Sequence, residues 1–117
     1  MALKFYGYKK CGTCRKAQKD LEAKGIELDY IDITVQPPSL AELRAIVDHS
    51  GKALQKFYNT SGGKYKEMNM KERRLEMSEA EQLELLSQEG YLLKRPLVSD
   101  DNKATVGYKA EEFEIWS

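Results

Sequence analysis

Residues 3–33 of the chain read LKFYGYKKCGTCRKAQKDLEAKGIELDYIDI, and this stretch decides the fold. Residues 3–8 are apolar and aromatic, which is typical of a short strand that ends in a turn. The following residues have the spacing of an amphipathic helix that runs to Lys24, with Gly25 as its stop signal. Residues 28–33 alternate apolar and polar side chains and predict a second strand. A strand, a helix and a strand in this order predict a parallel pair with a right-handed crossover.

The two cysteines of the chain, Cys11 and Cys14, lie at the junction between the first strand and the helix. A sulfur at the start of a helix faces unpaired backbone N–H groups and the positive end of the helix dipole. Both favour the thiolate, which is the nucleophilic form of the side chain. Flanking cations are expected to act in the same direction, and they are Lys9, Lys10, Arg15 and Lys16. Since the cysteines are one helical turn apart, they can close a disulfide, and the sequence predicts a thiol–disulfide site.

Two other interpretations of the cysteine pair are weaker. A structural zinc site needs four ligands and a catalytic one needs three, whereas the chain adds only His49, on a different predicted helix. The cysteines could also be inert thiols packed beneath the helix, but a partly exposed position among cations argues against this. We therefore predict no bound metal.

Composition limits the class of protein. The chain has 117 residues, of which 41% are apolar and 32% charged, and this fits one domain over residues 1–117. Its 19 basic and 19 acidic residues cancel, which argues against a general nucleic-acid binder. No apolar run is long enough to span a membrane, and no signal region follows Met1. These observations predict a cytoplasmic protein, where a close cysteine pair is more often redox chemistry than a structural staple.

The middle of the chain, about residues 39–90, predicts a series of helices. Two of them begin at capping boxes, in which a serine caps the helix and a glutamate three residues later reaches back. The two boxes are Ser39 with Glu42 and Ser78 with Glu81. The glycines that end these helices are Gly51 and Gly90. Between the two helices we expect a short helical piece at 53–58, a turn at 59–63 and a charged helix at 68–75.

The last third of the chain returns to strands. Residues 96–99 and 104–107 predict two short strands that are joined by a turn at 100–103. A short helix at 111–116 closes the chain. The predicted order is therefore βα, β, several helices, ββ and α.

This order, with a cysteine pair after the first strand and a proline before the third, resembles a thioredoxin-like fold. Four motifs make the resemblance more specific: Cys11-Gly12-Thr13-Cys14-Arg15, Gln36-Pro37-Pro38 before a serine-capped helix, Lys94-Arg95-Pro96-Leu97 and Val106-Gly107-Tyr108. The chain resembles the arsenate reductase (ArsC)-like family, which also contains the Spx transcription regulators, and within it a bacterial branch with two cysteines. The resemblance implies an α/β, glutaredoxin-like fold with a mixed four-stranded sheet. A helical insertion then separates its βαβ and ββα halves.

In that family the first cysteine attacks arsenate and three arginines hold the oxyanion. The resemblance gives the role of the nucleophile to Cys11 and that of one arginine to Arg95, with Pro96 cis and facing the cysteine site. Asn59 and Tyr108 stand where the other two arginines would be. Their loss argues against genuine arsenate reduction, because charge-assisted hydrogen bonds contribute about 1.5–3 kcal/mol each.

The mechanism implied begins when the Cys11 thiolate attacks a substrate disulfide or an oxidant, after which Cys14 displaces the adduct. Arg95 steadies the thiolate or an incoming anionic group. The other candidates support the site or line a pocket, and they are Gly12, Thr13, Arg15, Pro96, Lys10, Asn59 and Tyr108. No bound cofactor is expected, because an external thiol resets the pair: a thioredoxin, a glutaredoxin or a small thiol. An oxyanion is a further candidate substrate.

The Spx regulators supply an alternative function. In this case the chain would be a redox-responsive regulator that binds the RNA polymerase α subunit and contacts neither nucleic acid nor a membrane directly. Such a protein needs a partner surface rather than a substrate pocket. Gly51 aligns with a glycine of that contact, although a glycine that ends a helix needs no such role.

Overall fold

The computed structural model describes residues 2–116, and its elements follow the predicted order. The strands are β1 (Leu3–Gly7), β2 (Leu28–Asp32), β3 (Leu97–Ser99) and β4 (Ala104–Val106). The α-helices are α1 (Gly12–Ala23), α2 (Leu40–Ser50), α3 (Gly63–Glu67), α4 (Met70–Arg73) and α5 (Glu79–Gln88). Short 3-10 helices lie at Leu54–Phe57, Arg74–Glu76, Gly90–Leu92 and Glu112–Ile115. None of the helices within residues 2–116 is both long and apolar enough to cross a membrane.

The four strands form one mixed sheet in the order β2-β1-β3-β4. β1 and β2 are parallel, as the strand–helix–strand start predicts, and the other neighbouring pairs are antiparallel. β1 is a central strand, in which Phe5 pairs with Tyr30 on one side and with Val98 on the other. The predicted α/β architecture with a mixed four-stranded sheet is confirmed.

The two faces of the sheet are covered by different parts of the chain. Successive side chains of a strand point to opposite faces. Phe5 therefore packs in the apolar cluster beneath α1 with Leu21, and Tyr6 packs in the cluster of the helical insertion with Leu43. The helix that carries the cysteines thus lies on one face, and the insertion covers the other.

The caps of α2 and α5 show how the insertion is attached. The Ser39 hydroxyl accepts from the Glu42 N–H at 3.2 Å, and Ser78 forms the full capping box with Glu81. The Glu42 carboxylate also accepts a 3.0 Å hydrogen bond from the hydroxyl of Tyr6 on β1. The residue that helps to start α2 therefore also fastens this helix to the sheet.

The charged part of the insertion is divided differently from the prediction. The sequence predicts one helix at 68–75, whereas α3 already begins at Gly63 and α4 begins only after Asn69. Asn69 has a left-handed backbone with φ of 53°, and asparagine is one of the few residues that adopt it readily. The predicted helix at 68–75 therefore begins at Met70 and changes to a 3-10 helix at Arg74, and the separate helix α3 before Asn69 was not predicted.

The end of the insertion brings the chain back to the cysteine end of the sheet. Gly90 packs so closely on the end of β2 that a Cβ there would overlap the carbonyl oxygen of Ile33. Leu93 then pairs with Tyr58 in an isolated antiparallel bridge. The next residues lead to Arg95 and into β3, which lies beside β1.

Candidate active site

The two cysteines differ in their access to solvent. Cys11 occupies the N-cap position of α1 with an extended backbone and is partly exposed. Cys14 lies one turn into the helix and is completely buried. Both thiols are free, and each cysteine shifts the pKa of the other. The pair therefore combines a sulfur that a substrate can reach with one that is protected.

The electrostatic surroundings of Cys11 favour its thiolate. Partial burial would raise the pKa of Cys11, but the hydrogen-bond donors around its sulfur outweigh burial and lower the pKa from the usual 9.0. These donors are the backbone N–H and the thiol of Cys14, the guanidinium of Arg95 and the backbone N–H of Thr13. Because each of them stabilises the charged form, Cys11 is the more nucleophilic sulfur near neutral pH.

The surroundings of Cys14 act in the opposite direction. Burial raises the pKa of Cys14 to about 12, helped by the hydrogen bond to Cys11 and by the charge of Cys11. A hydrogen bond with the backbone of Tyr8 and the charge of Arg95 oppose this rise without cancelling it. Cys14 therefore stays a thiol while Cys11 carries the negative charge.

Arg95 is the cation that acts on this pair. Its peptide bond to Pro96 is cis, as the family resemblance implies, and its guanidinium is one of the groups that lower the pKa of Cys11. Its charge also lowers the pKa of Asp32, although hydrogen bonds from Thr34 are the larger cause. The Nη1 atom of Arg95 is buried and has no hydrogen-bond partner within the described residues. A buried donor without a partner is costly, so Arg95 can still donate to an acceptor that enters beside Cys11.

Two tyrosines complete the surroundings of Arg95, and sequence reasoning did not place them there. The guanidinium lies over the ring of Tyr8, and that ring meets Tyr91 edge-on with 6.2 Å between the ring centroids. Tyr91 is 45% exposed. The sequence interpretation assigns Tyr8 to the rim of the sheet and Tyr91 to the edge of the middle helices. No local pattern connects residues so far apart, and only the return of the chain at Gly90 brings them together.

The other residues predicted to support the site lie around its opening. Gly12 and Thr13 are exposed in the first turn of α1, and Pro96 is buried. Lys10 and Arg15 are exposed. The main causes of the lowered pKa of Cys11 include the guanidinium of Arg95 and none of the flanking cations.

Asn59 and Tyr108 are each held by a hydrogen bond to another part of the chain. The Tyr108 hydroxyl donates to Asp20 at 2.7 Å, and Asp20 lies six residues after Cys14, about 9 Å along the axis of α1. The Tyr108 ring packs against the apolar cluster that contains Cys14. Asn59 lies in the turn before α3, where its N–H donates to the Leu92 carbonyl at 2.8 Å. Among residues 2–116, the structure also contains no group of three His, Cys, Asp or Glu side chains arranged to hold a metal ion.

Comparison with known proteins gives a consistent result. The model of the ArsC family matches residues 6–116. The Bacillus subtilis protein YusI is 57% identical over 114 residues, which cover 97% of each chain. The regulatory protein MgsR of the same organism is 32% identical, over 94% of this chain and 86% of its own length. The crystal structure of an ArsC family related protein from Bacteroides fragilis superposes with a TM-score of 0.95 at 40% identity, covering 100% of this chain and 98% of that one. The thioredoxin-like fold with a helical insertion is thereby confirmed.

Proposed function

The chain belongs to the ArsC family, and from that premise we propose that it is a thiol–disulfide oxidoreductase with Cys11 as nucleophile and Cys14 as resolving cysteine. The observation that best supports this proposal is the opposite shift of the two pKa values. The pKa of the reachable Cys11 is lowered, and the pKa of the buried Cys14 is raised. A pair of this kind directs the first attack to one sulfur and reserves the other for the second step.

The first step forms a mixed disulfide. The Cys11 thiolate attacks one sulfur of a substrate disulfide, the substrate S–S bond breaks, and the other substrate sulfur leaves as a thiolate. Arg95 helps to lower the pKa of Cys11 in the resting state and can steady the negative charge as it moves to the leaving sulfur. Its unpaired Nη1 supplies a donor for that purpose.

The second step is prepared by the first. The charge of Cys11 and its hydrogen bond are two of the causes that raise the pKa of Cys14, and both disappear when Cys11 enters the mixed disulfide. Arg95, whose charge lowers the pKa of Cys14, loses its thiolate partner at the same moment. The Cys14 proton passes to the thiolate that left, and Cys14 displaces the second substrate sulfur to close a Cys11–Cys14 disulfide. Two electrons have then moved from the protein to the substrate.

The cycle closes when an external thiol reductant opens the Cys11–Cys14 disulfide. A thioredoxin, a glutaredoxin or a small thiol supplies the two electrons, so the chain needs no bound cofactor. This chemistry suits a reducing compartment, and we place it in the cytoplasm. Arsenate is a poor substrate in this proposal, since Asn59 and Tyr108 stand where the family has two further arginines and neither carries a positive charge.

Single-cysteine variants test the proposal by mass spectrometry after reaction with glutathione disulfide. Wild type is expected to form the internal disulfide, with the loss of two hydrogens. Cys14→Ser is expected to accumulate a glutathione adduct on Cys11, and Cys11→Ser is expected to form no adduct. Equal adduct formation by the two variants, or none by Cys14→Ser, would contradict the assigned roles.

One comparison favours a second function. MgsR, a regulatory protein, aligns with 94% of this chain. A regulator would use the same cysteine pair as a switch and bind a partner such as the RNA polymerase α subunit without turnover. Calorimetry with purified α subunit and with the reduced or oxidised chain distinguishes the functions. Stoichiometric binding in one redox state, together with no disulfide turnover, would favour the regulator.

A further inference from the structure

Exposed cations are concentrated in the chain segment that carries the two cysteines. Five exposed basic side chains lie in the loop before Cys11 and on the first turns of α1, and we call this set the basic rim: Lys9, Lys10, Arg15, Lys16 and Lys19. The whole chain has a formal net charge of zero, so this segment is more basic than the chain as a whole. An uneven charge beside a reactive group raises the local concentration of molecules of opposite charge.

The basic rim has no ion-pair partners within the described residues. The ion pairs of the structure involve other lysines: Lys4 with Glu42, Lys24 with Asp20, Lys52 with Glu112, and Lys64 with Glu89. Two carboxylates on or near the same elements are already engaged. Asp20 accepts from Lys24 and Tyr108, and Asp32 accepts from Thr34.

The arrangement of the basic rim on α1 does not stabilise the helix. Arg15 and Lys19 are four residues apart, and Lys16 and Lys19 are three apart, so like charges face each other along one exposed surface. Such pairs disfavour a helix, although Asp20, four residues after Lys16, and Glu22, three residues after Lys19, offset part of the repulsion. An acidic partner at this surface would lower the remaining repulsion.

The extent of the surface indicates a protein partner rather than a small anion. The basic rim runs from the loop before Cys11 to the middle of α1, which is more charge than one small anion neutralises. Tyr91 adds a half-exposed aromatic ring next to Tyr8 and Arg95. Exposed tyrosines with charged groups around them are typical of protein interfaces. The position beside a reactive sulfur favours a partner with its own sulfur, which nucleic acids lack.

We propose that the basic rim is the docking surface through which this protein selects disulfide-bearing partners with acidic residues around the disulfide. The inference rests on the proposed function and adds its substrate class. The reaction is the exchange described above: two electrons pass from the cysteine pair to the disulfide of the partner, which leaves as two thiols. Docking changes how often the disulfide meets Cys11 and leaves the bond-making steps unchanged.

Three disulfide-linked peptides provide the test. They share one sequence around the disulfide and differ only in the flanking positions, which are glutamate, glutamine or lysine. The pre-reduced protein is mixed with each peptide in single turnover, and the second-order rate constant is measured. At low ionic strength the glutamate peptide is expected to react about tenfold faster than the lysine peptide. At about 0.5 M salt this ratio is expected to fall towards one, because salt screens exposed charges.

Charge-reversal variants connect the preference to the basic rim. Lys16→Glu combined with Lys19→Glu is expected to abolish or invert the ratio of the glutamate rate to the lysine rate. The ratio is independent of any general change in the reactivity of Cys11. The matched control combines Lys71→Glu with Arg73→Glu, two exposed cations on α4, and is expected to retain the wild-type ratio.

The outcomes separate the inference from the proposed function. If all three peptides react at one rate, the docking surface is wrong and the oxidoreductase stands. If none reacts, both proposals fall. A short DNA duplex that blocks all three reactions at stoichiometric concentration would assign the basic rim to nucleic acid and overturn the inference.

Discussion

The guanidinium of Arg95 lies over the ring of Tyr8, with 5.0 Å between the guanidinium carbon and the ring centroid. The same guanidinium helps to lower the pKa of the Cys11 thiol. A cation over an aromatic face is attracted by the negative face of the ring. Tyr8 therefore acts as a positioning residue that holds Arg95 at the sulfur.

Replacement of Tyr8 by leucine tests this relationship. Tyr8→Leu removes the aromatic face, so Arg95 is held less firmly and the pKa of Cys11 is expected to rise. An exposed cation–π contact contributes about 0.5–1 kcal/mol, so alkylation of Cys11 at neutral pH is expected to slow by a factor of about 2 to 5. The measurement is the pH dependence of the iodoacetamide reaction, followed by mass spectrometry.

The matched control for Tyr8→Leu is Tyr8→Phe, which keeps the ring and loses only the hydroxyl. It is expected to retain the wild-type pH profile. A profile that shifts equally in both variants would show that the hydroxyl or general packing matters, and not the contact with Arg95.

The local elements of this fold are visible in the sequence because their signals are local. The alternation at 28–33, the apolar spacing along α1 and the serine caps each depend on residues within a few positions of one another. The structure confirms the parallel β1–β2 pair and the caps at Ser39 and Ser78. The left-handed residue Asn69, which separates α3 from α4, was not predicted because a single asparagine leaves no periodic pattern in the sequence.

The site was predictable only in part. The position of Cys11 at the start of α1 and its spacing of one helical turn from Cys14 follow from the sequence. The position of Arg95 near the cysteines was predicted only from the family resemblance. Arg95 follows the whole helical insertion, so no local sequence pattern relates it to Cys11 or Cys14. The contacts of Tyr8 with Arg95 and Tyr91 arise in the same way, so no local pattern could predict them.

The close approach of Gly90 to β2 predicts a strong effect on stability. In Gly90→Ala the added Cβ would overlap the backbone of Ile33 and press on Thr34, and a backbone cannot rotate away as a side chain can. The insertion is expected to shift and the free energy of unfolding to fall by about 2–4 kcal/mol. Urea unfolding at equilibrium measures this change.

A matched substitution at a glycine without neighbours provides the comparison. Gly63 begins α3, and a Cβ there would have no atom within 4 Å. Gly63→Ala is expected to leave stability unchanged or raise it by up to about 1 kcal/mol, since alanine favours a helix. Equal losses in both variants would mean that close packing at Gly90 is not the cause.

The two positions that resemble oxyanion arginines are expected to respond differently from Arg95. Tyr108→Phe removes the hydrogen bond to Asp20, which is the main cause of the lowered pKa of that carboxyl. The pKa of Asp20 is expected to rise, as NMR titration would show, while alkylation of Cys11 keeps its rate. Arg95→Gln is expected to slow the alkylation, because the thiolate loses its cation. Slowing of equal size in Tyr108→Phe would place the tyrosine in the site after all.

The buried Cys14 thiol predicts how the stability of the reduced protein depends on pH. Its pKa is raised from 9.0 to about 12 by burial and by Cys11, so above pH 9 the unfolded chain releases a proton that the folded chain retains. The free energy of unfolding therefore falls as the pH rises, with a slope of at most about 1.4 kcal/mol per pH unit.

Cys14→Ser removes this titration and is expected to show a smaller slope between pH 9 and about 10 in urea unfolding. Tyr58, whose pKa burial raises to about 12, lowers the stability of both proteins at higher pH and cancels in the difference. The comparison stops at about pH 10 because the charge of Cys14 helps burial to raise the pKa of Tyr30, so the contribution of Tyr30 differs between the two proteins at higher pH. Parallel curves for the two proteins would mean that Cys14 ionises as readily in the folded chain as in the unfolded one, and would remove the reason for assigning it the second step.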